Sequence, residues 1–226
     1  MSKSFALWYP EINPDITNVP YPALKEAVRA AAIKFCNKTH LWKVELDPID
    51  IVADQSDYTL TVPTELEADI IVVDDVQYKA EGEDDDKYQT VYPVSFVQKN
   101  LNTGGGWRFS NIESITEYYV DPEDVTTLHL VGNPSEASTD GLLVTVIIKP
   151  IRIATALPDF IYDDYREEIG CGAKANLFLR KGMPWYDPKI ADYYKNEFDN
   201  ACNNGKLTRV KGGTNMNLSV KMRPMV

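Results

Sequence analysis

The sequence predicts an α+β fold: a small helical bundle with an inserted antiparallel β domain and extended terminal arms. Three observations predict it. Apolar residues recur at helical spacing near residues 22–41 and again across 156–206, short β-branched runs fill residues 44–155 between them, and the last twenty residues have no helical period. The first helix cannot bury its apolar stripe alone. It must pack on helices encoded over a hundred residues later, which makes the strand region an insertion.

Residues 1–43 form an N-terminal arm and the first helix of the bundle. Trp8, Tyr9, Pro10, Pro14 and Pro20 suit an irregular arm anchored by aromatics. Pro22 opens the helix, where Leu24, Val28, Ala31 and Phe35 share one face that Ile33 and Cys36 widen, and the pattern stops near Lys38-Thr39-His40. In residues 44–155, Asp57 to Val62 and Thr127 to Val131 alternate, while Ile70 to Val73 and Val144 to Ile148 are β-branched. Close turns between short strands imply antiparallel pairing. Loop tips are expected at Gly82 to Asp86, at Gly104-Gly105-Gly106, and at Pro134, Ser135, Ser138, Asp140 and Gly141.

Residues 156–206 supply two further helices. Asp159 after Pro158 is the expected N-cap, and Asp163, Asp164, Glu167 and Glu168 crowd the helix start, where the macrodipole favours anions. Ile161, Tyr165, Ile169, Ala173 and Leu177 make one stripe; Gly170 and Gly172 weaken the helix unless another backbone must come close. Arg180, Lys181 and Gly182 end it, and Met183 to Tyr186 form an aromatic joint. Asp187-Pro188 then reads as an acidic cap followed by Pro at the first helical position, opening a helix with Ile190, Tyr194, Phe198 and Ala201 on one face. Residues 207–226 read as an extended tail that orders on a partner.

With 226 residues and 44% hydrophobic content the chain can bury a core of one domain or two small ones. No apolar run is long enough for a membrane span, and the N-terminus lacks a secretory pattern, which predicts folding in a cytoplasm. Cys36, Cys171 and Cys202 are odd in number and widely spaced on predicted helices, as expected of reduced core thiols without a disulfide. The net charge of −11 argues against a general DNA-binding surface. It is unevenly spread: no acid follows Asp199, whereas Lys206, Arg209, Lys211, Lys221 and Arg223 do.

The sequence gives catalysis little support. His40 and His129 are the only histidines, no cysteine pair has zinc-ligand spacing, and Ser95, Ser110, Ser114 and Ser135 lack a nucleophile-elbow context. Gly104-Gly105-Gly106-Trp107 is followed by no Lys-Ser or Lys-Thr, and the acidic run from Glu81 to Asp86 lacks the closing Glu of a calcium loop. The expectation is a protein that is not an enzyme, with no cofactor and no metal. Its aromatics, among them Tyr118, Tyr119, Tyr162 and Tyr165, divide between core packing and a subunit interface.

Several blocks resemble the head-to-tail adaptors of short-tailed bacteriophages, the tail tubular protein A type. They are Ala30 to Thr39 with Leu41-Trp42, Asp47-Pro48-Ile49-Asp50, Leu157 to Tyr162, Tyr165 to Ile169, and Gly182-Met183-Pro184-Trp185 with Asp187-Pro188 and Tyr193-Tyr194. The resemblance implies a structural virion protein, made in the host cytoplasm and built into the neck as a ring, usually dodecameric, between the portal protein and the tail nozzle protein. DNA would pass through the ring on ejection without sequence-specific binding, and an acidic lumen would let it slide. The resemblance also implies that the C-terminal tail reaches along the portal or a neighbouring subunit. The residues expected at those interfaces are Trp185, Tyr186, Tyr193, Tyr194, Arg209, Lys211, Lys221 and Arg223. Two rival expectations are a connector or tail-completion protein of a long-tailed phage and a tail-associated peptidoglycan hydrolase with a hidden carboxylate pair.

Overall fold

The computed structural model describes residues 2–83, 87–95, 97, 111–112 and 114–211, and over these the chain is mixed α+β. The expected loop tip at Gly104-Gly105-Gly106 and most of the tail, Lys221 and Arg223 included, lie outside the described residues. The chain divides into two compact units, one drawn from Met1–Leu41 and Arg152–Val226, the other from Trp42–Ile151.

In the first unit, three long helices pack pairwise: α2 (Tyr21–Thr39), α3 (Asp159–Phe178) and α4 (Pro188–Lys211), preceded by a short α1 (Tyr9–Ile12). Helix α2 buries Leu24, Ala27, Val28, Ala31, Ala32, Phe35 and Cys36, and it stops at His40, whose φ of 56° is a left-handed cap. Helix α3 buries Ile161, Ile169, Ala173 and Leu177, with a break in helical geometry at Tyr165 (φ −134°, ψ 24°). Gly172 is required by the packing. A Cβ there would lie 2.7 Å from the Phe198 ring and 3.0 Å from the Ala31 Cβ, so α2, α3 and α4 meet where one of them carries no side chain.

Four expectations for this unit are corrected. Residues 2–16 of the segment expected to be an irregular arm are ordered: β1 (Ser2–Ser4) pairs antiparallel with β12 (Ala156–Pro158), a 3-10 turn follows over Phe5–Trp8, and Phe5, Trp8, Ile12 and Ile16 are fully buried. Their spacing of three, four and four is helical, and Pro10 and Pro14 conceal it. Asp159 is the first helical residue of α3 rather than its cap, since the cap position is Pro158. The buried face of α4 is Ala191, Phe198, Cys202 and Gly205; Ile190 is exposed. Finally, Leu207 to Lys211 are helical, not extended, because Gly205 lies against Thr39 and Leu41 and so draws the last turns of α4 along the end of α2. Arg209 and Lys211 then fall in the last turn, where cations suit the macrodipole.

The second unit is a curled sheet. Its strands are β2 (Lys43–Glu45), β3 (Ile49–Ile51), β4 (Asp57–Thr59), β5 (Ala68–Tyr78), β6 (Gln89–Pro93), β8 (Glu117–Asp121), β9 (Asp124–Leu130) and β11 (Ser138–Pro150). Eight of them pair in the order β2-β11-β5-β6-β8-β9-β4, with β3 alongside β11. Among the described residues pairing is antiparallel except between β6 and β8, and in a separate parallel pair formed by β7 (Asn111–Ile112) and β10 (Asn133–Pro134). The long β5–β11 pair carries the core, setting Val144 opposite Val76 and Val146 opposite Val73. Of the turn expected across Pro134, Ser135, Ser138, Asp140 and Gly141, the bend falls at Ser135 and Glu136, while Ser138 to Gly141 form a bulged start of β11 with Asp140 at φ 50°.

Gly172→Ala is expected to lower the unfolding free energy by about 1–3 kcal/mol through overpacking against Phe198, despite up to about 1 kcal/mol gained in helix propensity. Urea denaturation checks this; an unchanged or raised midpoint would mean that the three helices part easily.

Candidate interaction surface

Helices α3 and α4 are joined by a short turn that exposes apolar side chains. Leu179, Met183, Tyr186, Ile190 and Tyr193 are five of the exposed large hydrophobic residues, all within fifteen positions, and Tyr193 is 61% exposed. Local chemistry fixes the joint. Leu179 caps α3, Gly182 takes a φ of 80°, the Tyr186 N–H donates to the Met183 carbonyl at 3.1 Å, and the Asp187 N–H donates to the Phe178 carbonyl at 3.1 Å. Asp187 Oδ1 then accepts from the N–H groups of Lys189 and Ile190 at 2.9 and 3.1 Å, the acidic cap that starts α4. The turn therefore presents its apolar side chains from a fixed backbone.

The structure separates the residues grouped at this joint by sequence. Tyr186 and Tyr193 point to solvent, while Trp185 is partly covered, with its indole N–H buried. Tyr194 turns inward. Its ring stacks on Phe178 at 5.9 Å, and its hydroxyl lies 3.0 Å from the Asp15 carboxylate, to which it donates. Arg209 and Lys211 lie on the last turn of α4, apart in sequence from the joint.

Tyr194 belongs to a charge cluster that sequence reading missed. Lys174 on α3 is only 6% exposed, and its ammonium meets Asp15 Oδ2 at 2.5 Å, Glu11 Oε1 at 3.8 Å and the Tyr194 ring at 5.1 Å. Arg166 approaches Glu11 at 4.0 Å. A lysine inside the apolar run from Ile169 to Phe178 was the signal, since a buried ammonium needs carboxylate partners. The hydrogen bond from Lys174, and next that from Tyr194, hold the Asp15 carboxyl below the usual carboxylate range, while burial and the Asp15 bond push the Tyr194 hydroxyl up to about 12. The cluster joins the N-terminal segment, α3 and α4.

No family model matches this chain. No curated protein matches it either.

Among the described residues no three His, Cys, Asp or Glu side chains are grouped to hold a metal ion, and no helix is long and apolar enough to cross a membrane. His129 stacks on Tyr119 at 4.6 Å and pairs through Nδ1 with Asp57 at 2.8 Å, and His40 caps α2. Burial pushes the Cys36 thiol up to about 12 and that of Cys202 up to about 11, so neither supplies a thiolate near neutral pH.

A carboxyl held low in the folded state stabilises fully above its unfolded value near pH 4, and that contribution is lost as pH falls through the folded value. Asp15, held by Lys174, and Asp199, held by Lys38 at 2.6 Å, both act in this sense. Acid titration of the unfolding free energy is therefore expected to show a decline below about pH 4. Asp15→Asn should make that decline shallower and cost no more than about 1 kcal/mol at pH 7, because its carboxylate is partly exposed and screened. An identical acid limb in the variant would remove the Lys174 pair as a source of stability.

Proposed function

We propose that the protein is a structural virion component, a ring-forming adaptor that joins a portal to a tail nozzle and forms part of the DNA channel. In this reading the helices form a bundle, the strand region is a domain inserted into it, and the residues after Lys211 are an arm that contacts the portal or a neighbour. The chain needs no cofactor for this task, because its work is assembly.

The observation that carries the reading is the run of exposed apolar side chains at the α3–α4 joint, Leu179, Met183 and Tyr186, continued by Ile190 and Tyr193 at the start of α4. A ring built from heterologous contacts uses two different patches on each subunit, and aromatic and methionine side chains are the ones enriched at such contacts. A monomer in isolation gains nothing from holding five large apolar side chains in water beside one rigid turn. The charge distribution supports the same reading. An overall charge of −11 keeps phosphate from sticking to a duct wall, while Arg209, Lys211, Lys221 and Arg223 give the C-terminal end the opposite sign.

Light scattering or native mass spectrometry of the purified protein, alone and mixed with the cognate portal ring, tests the proposal. A ring-sized mass increment on the portal is expected. Tyr186→Ala combined with Tyr193→Ala should weaken that assembly by roughly thirtyfold to a thousandfold, in line with about 1–2 kcal/mol for each interfacial tyrosine, and leave the denaturation midpoint unchanged. A protein that ignores the portal at micromolar concentration would sink the adaptor reading.

A further inference from the structure

We propose that the α3–α4 joint of one copy receives the C-terminal end of a second copy, Leu207 and Val210 together with residues 216–222. The inference deepens the adaptor reading by naming what meets the joint between copies, and its test uses no portal, so that either can fail alone.

The helical unit exposes large apolar side chains at both ends of α4. At its start stand Ile190 and Tyr193, beside Leu179, Met183 and Tyr186 of the joint. At its other end Leu207 and Val210 are 51% and 62% exposed, and three positions apart they are neighbours on the helix surface. Helix geometry explains their exposure. Gly205 faces Thr39 and Leu41 at the end of α2, and at about 100° per residue Leu207 and Val210 stand roughly 200° and 140° round from it, on the side away from α2.

Reach decides that the two ends meet between copies. Helix α4 is 24 residues long, about 36 Å at 1.5 Å per residue, and a rigid helix cannot bring its own two ends together. The chain beyond it is also too short for most of the contact. Val220 is nine residues past Lys211, within roughly 30 Å of it when fully extended at 3.3 Å per residue, whereas Tyr186 lies about 36 Å back along α4. The apolar residues up to Val220 therefore stop short of the joint on their own molecule. A second copy is where both surfaces can be covered at once.

The chemistry of the two surfaces matches. Met216, Leu218, Val220 and Met222 alternate with Asn217, Ser219, Lys221 and Arg223, so this segment continues the apolar surface of Leu207 and Val210 and adds a polar, basic side to it. All thirty-four acidic residues of the chain precede residue 200, so charge draws this basic end to the body of another copy, and the apolar match selects the joint. The joint is already fixed by the Tyr186 and Asp187 N–H groups, which donate to the Met183 and Phe178 carbonyls, so little ordering is left to do on the accepting side. Donor and acceptor are different surfaces. Repetition of the contact therefore builds a ring or an open chain of subunits, where a self-complementary patch would stop at two.

Light scattering on the full-length protein by itself, across a range of concentrations, tests this. The molar mass is expected to rise above that of one chain as concentration increases. An acceptor-blocked variant, Met183→Lys with Tyr193→Lys, and a donor-blocked variant, Val210→Lys with Leu218→Lys, should each raise the dissociation constant by roughly a hundredfold or more. Met183, Tyr193 and Val210 are exposed, so the urea midpoint should not move. Mixed together, the two variants hold one intact donor and one intact acceptor between them, and they are expected to form a one-to-one dimer that grows no further. Lysine on both blocked surfaces keeps those from pairing with each other. A mixture that stays monomeric would overturn the proposal, and so would unaltered protein that is monomeric at every concentration. Continued association of the donor-blocked variant would overturn it as well, by showing that the joint meets a second joint. Portal binding by a chain that never self-associates would remove this inference and leave the adaptor reading in place.

Discussion

The helical unit depends on one steric constraint, the meeting of three helices at a position that holds no side chain. At Gly172 the Phe198 ring and the Ala31 methyl both lie within about 3 Å of where a Cβ would stand, so α2, α3 and α4 are as close as their backbones and these two groups allow. Phe198 reaches on to the Phe35 ring at 6.4 Å, and Phe35 to Tyr165 at 5.0 Å where α3 departs from helical geometry. Lys34 lies over the outer side of Phe198 at 5.3 Å, and Lys38 pairs with Asp199 beside it. A single aromatic side chain thus sets inter-helix distance from inside the core, and ionic contacts close over it at the surface.

A second contact gives that core its fourth wall. The N-terminal segment is short and interrupted by prolines, yet it brings four fully buried side chains to the unit and is held at both ends. At its start, β1 pairs with the strand that immediately precedes α3. Farther along, Asp15 and Glu11 meet Lys174, which explains why a charged residue is tolerated among Ala173, Ala175 and Leu177. Tyr194 completes the arrangement by donating to Asp15, so it serves the fold, whereas Tyr193, one residue earlier, faces solvent.

The sequence made some of this legible and hid the rest for identifiable reasons. The stripe from Ile161 to Leu177 and the demand for close approach at Gly170 and Gly172 follow from periodicity and from the cost of glycine in a helix, and both can be read without coordinates. The Asp187-Pro188 start is equally local. The buried face of α4 was misread because it is lined by small residues, Ala191, Cys202 and Gly205, which a search for large apolar side chains passes over. Which tyrosine of the pair 193–194 turns outward depends on a rotation of about 100° per residue, and only the neighbouring helix decides it.

The division of the chain also has a consequence for its synthesis. Residues 42–151 form one unbroken stretch, so the β unit can close on the ribosome as soon as it emerges. Helix α2, made earlier, has by then no partner for Leu24, Val28, Ala31 and Phe35, because Gly172 and Phe198 have yet to be translated. At about 5–20 residues per second that interval lasts on the order of ten to thirty seconds. During it the nascent chain exposes the stripe that it later buries most deeply, and a chaperone that recognises apolar helices would find its site there and lose it when α4 arrives.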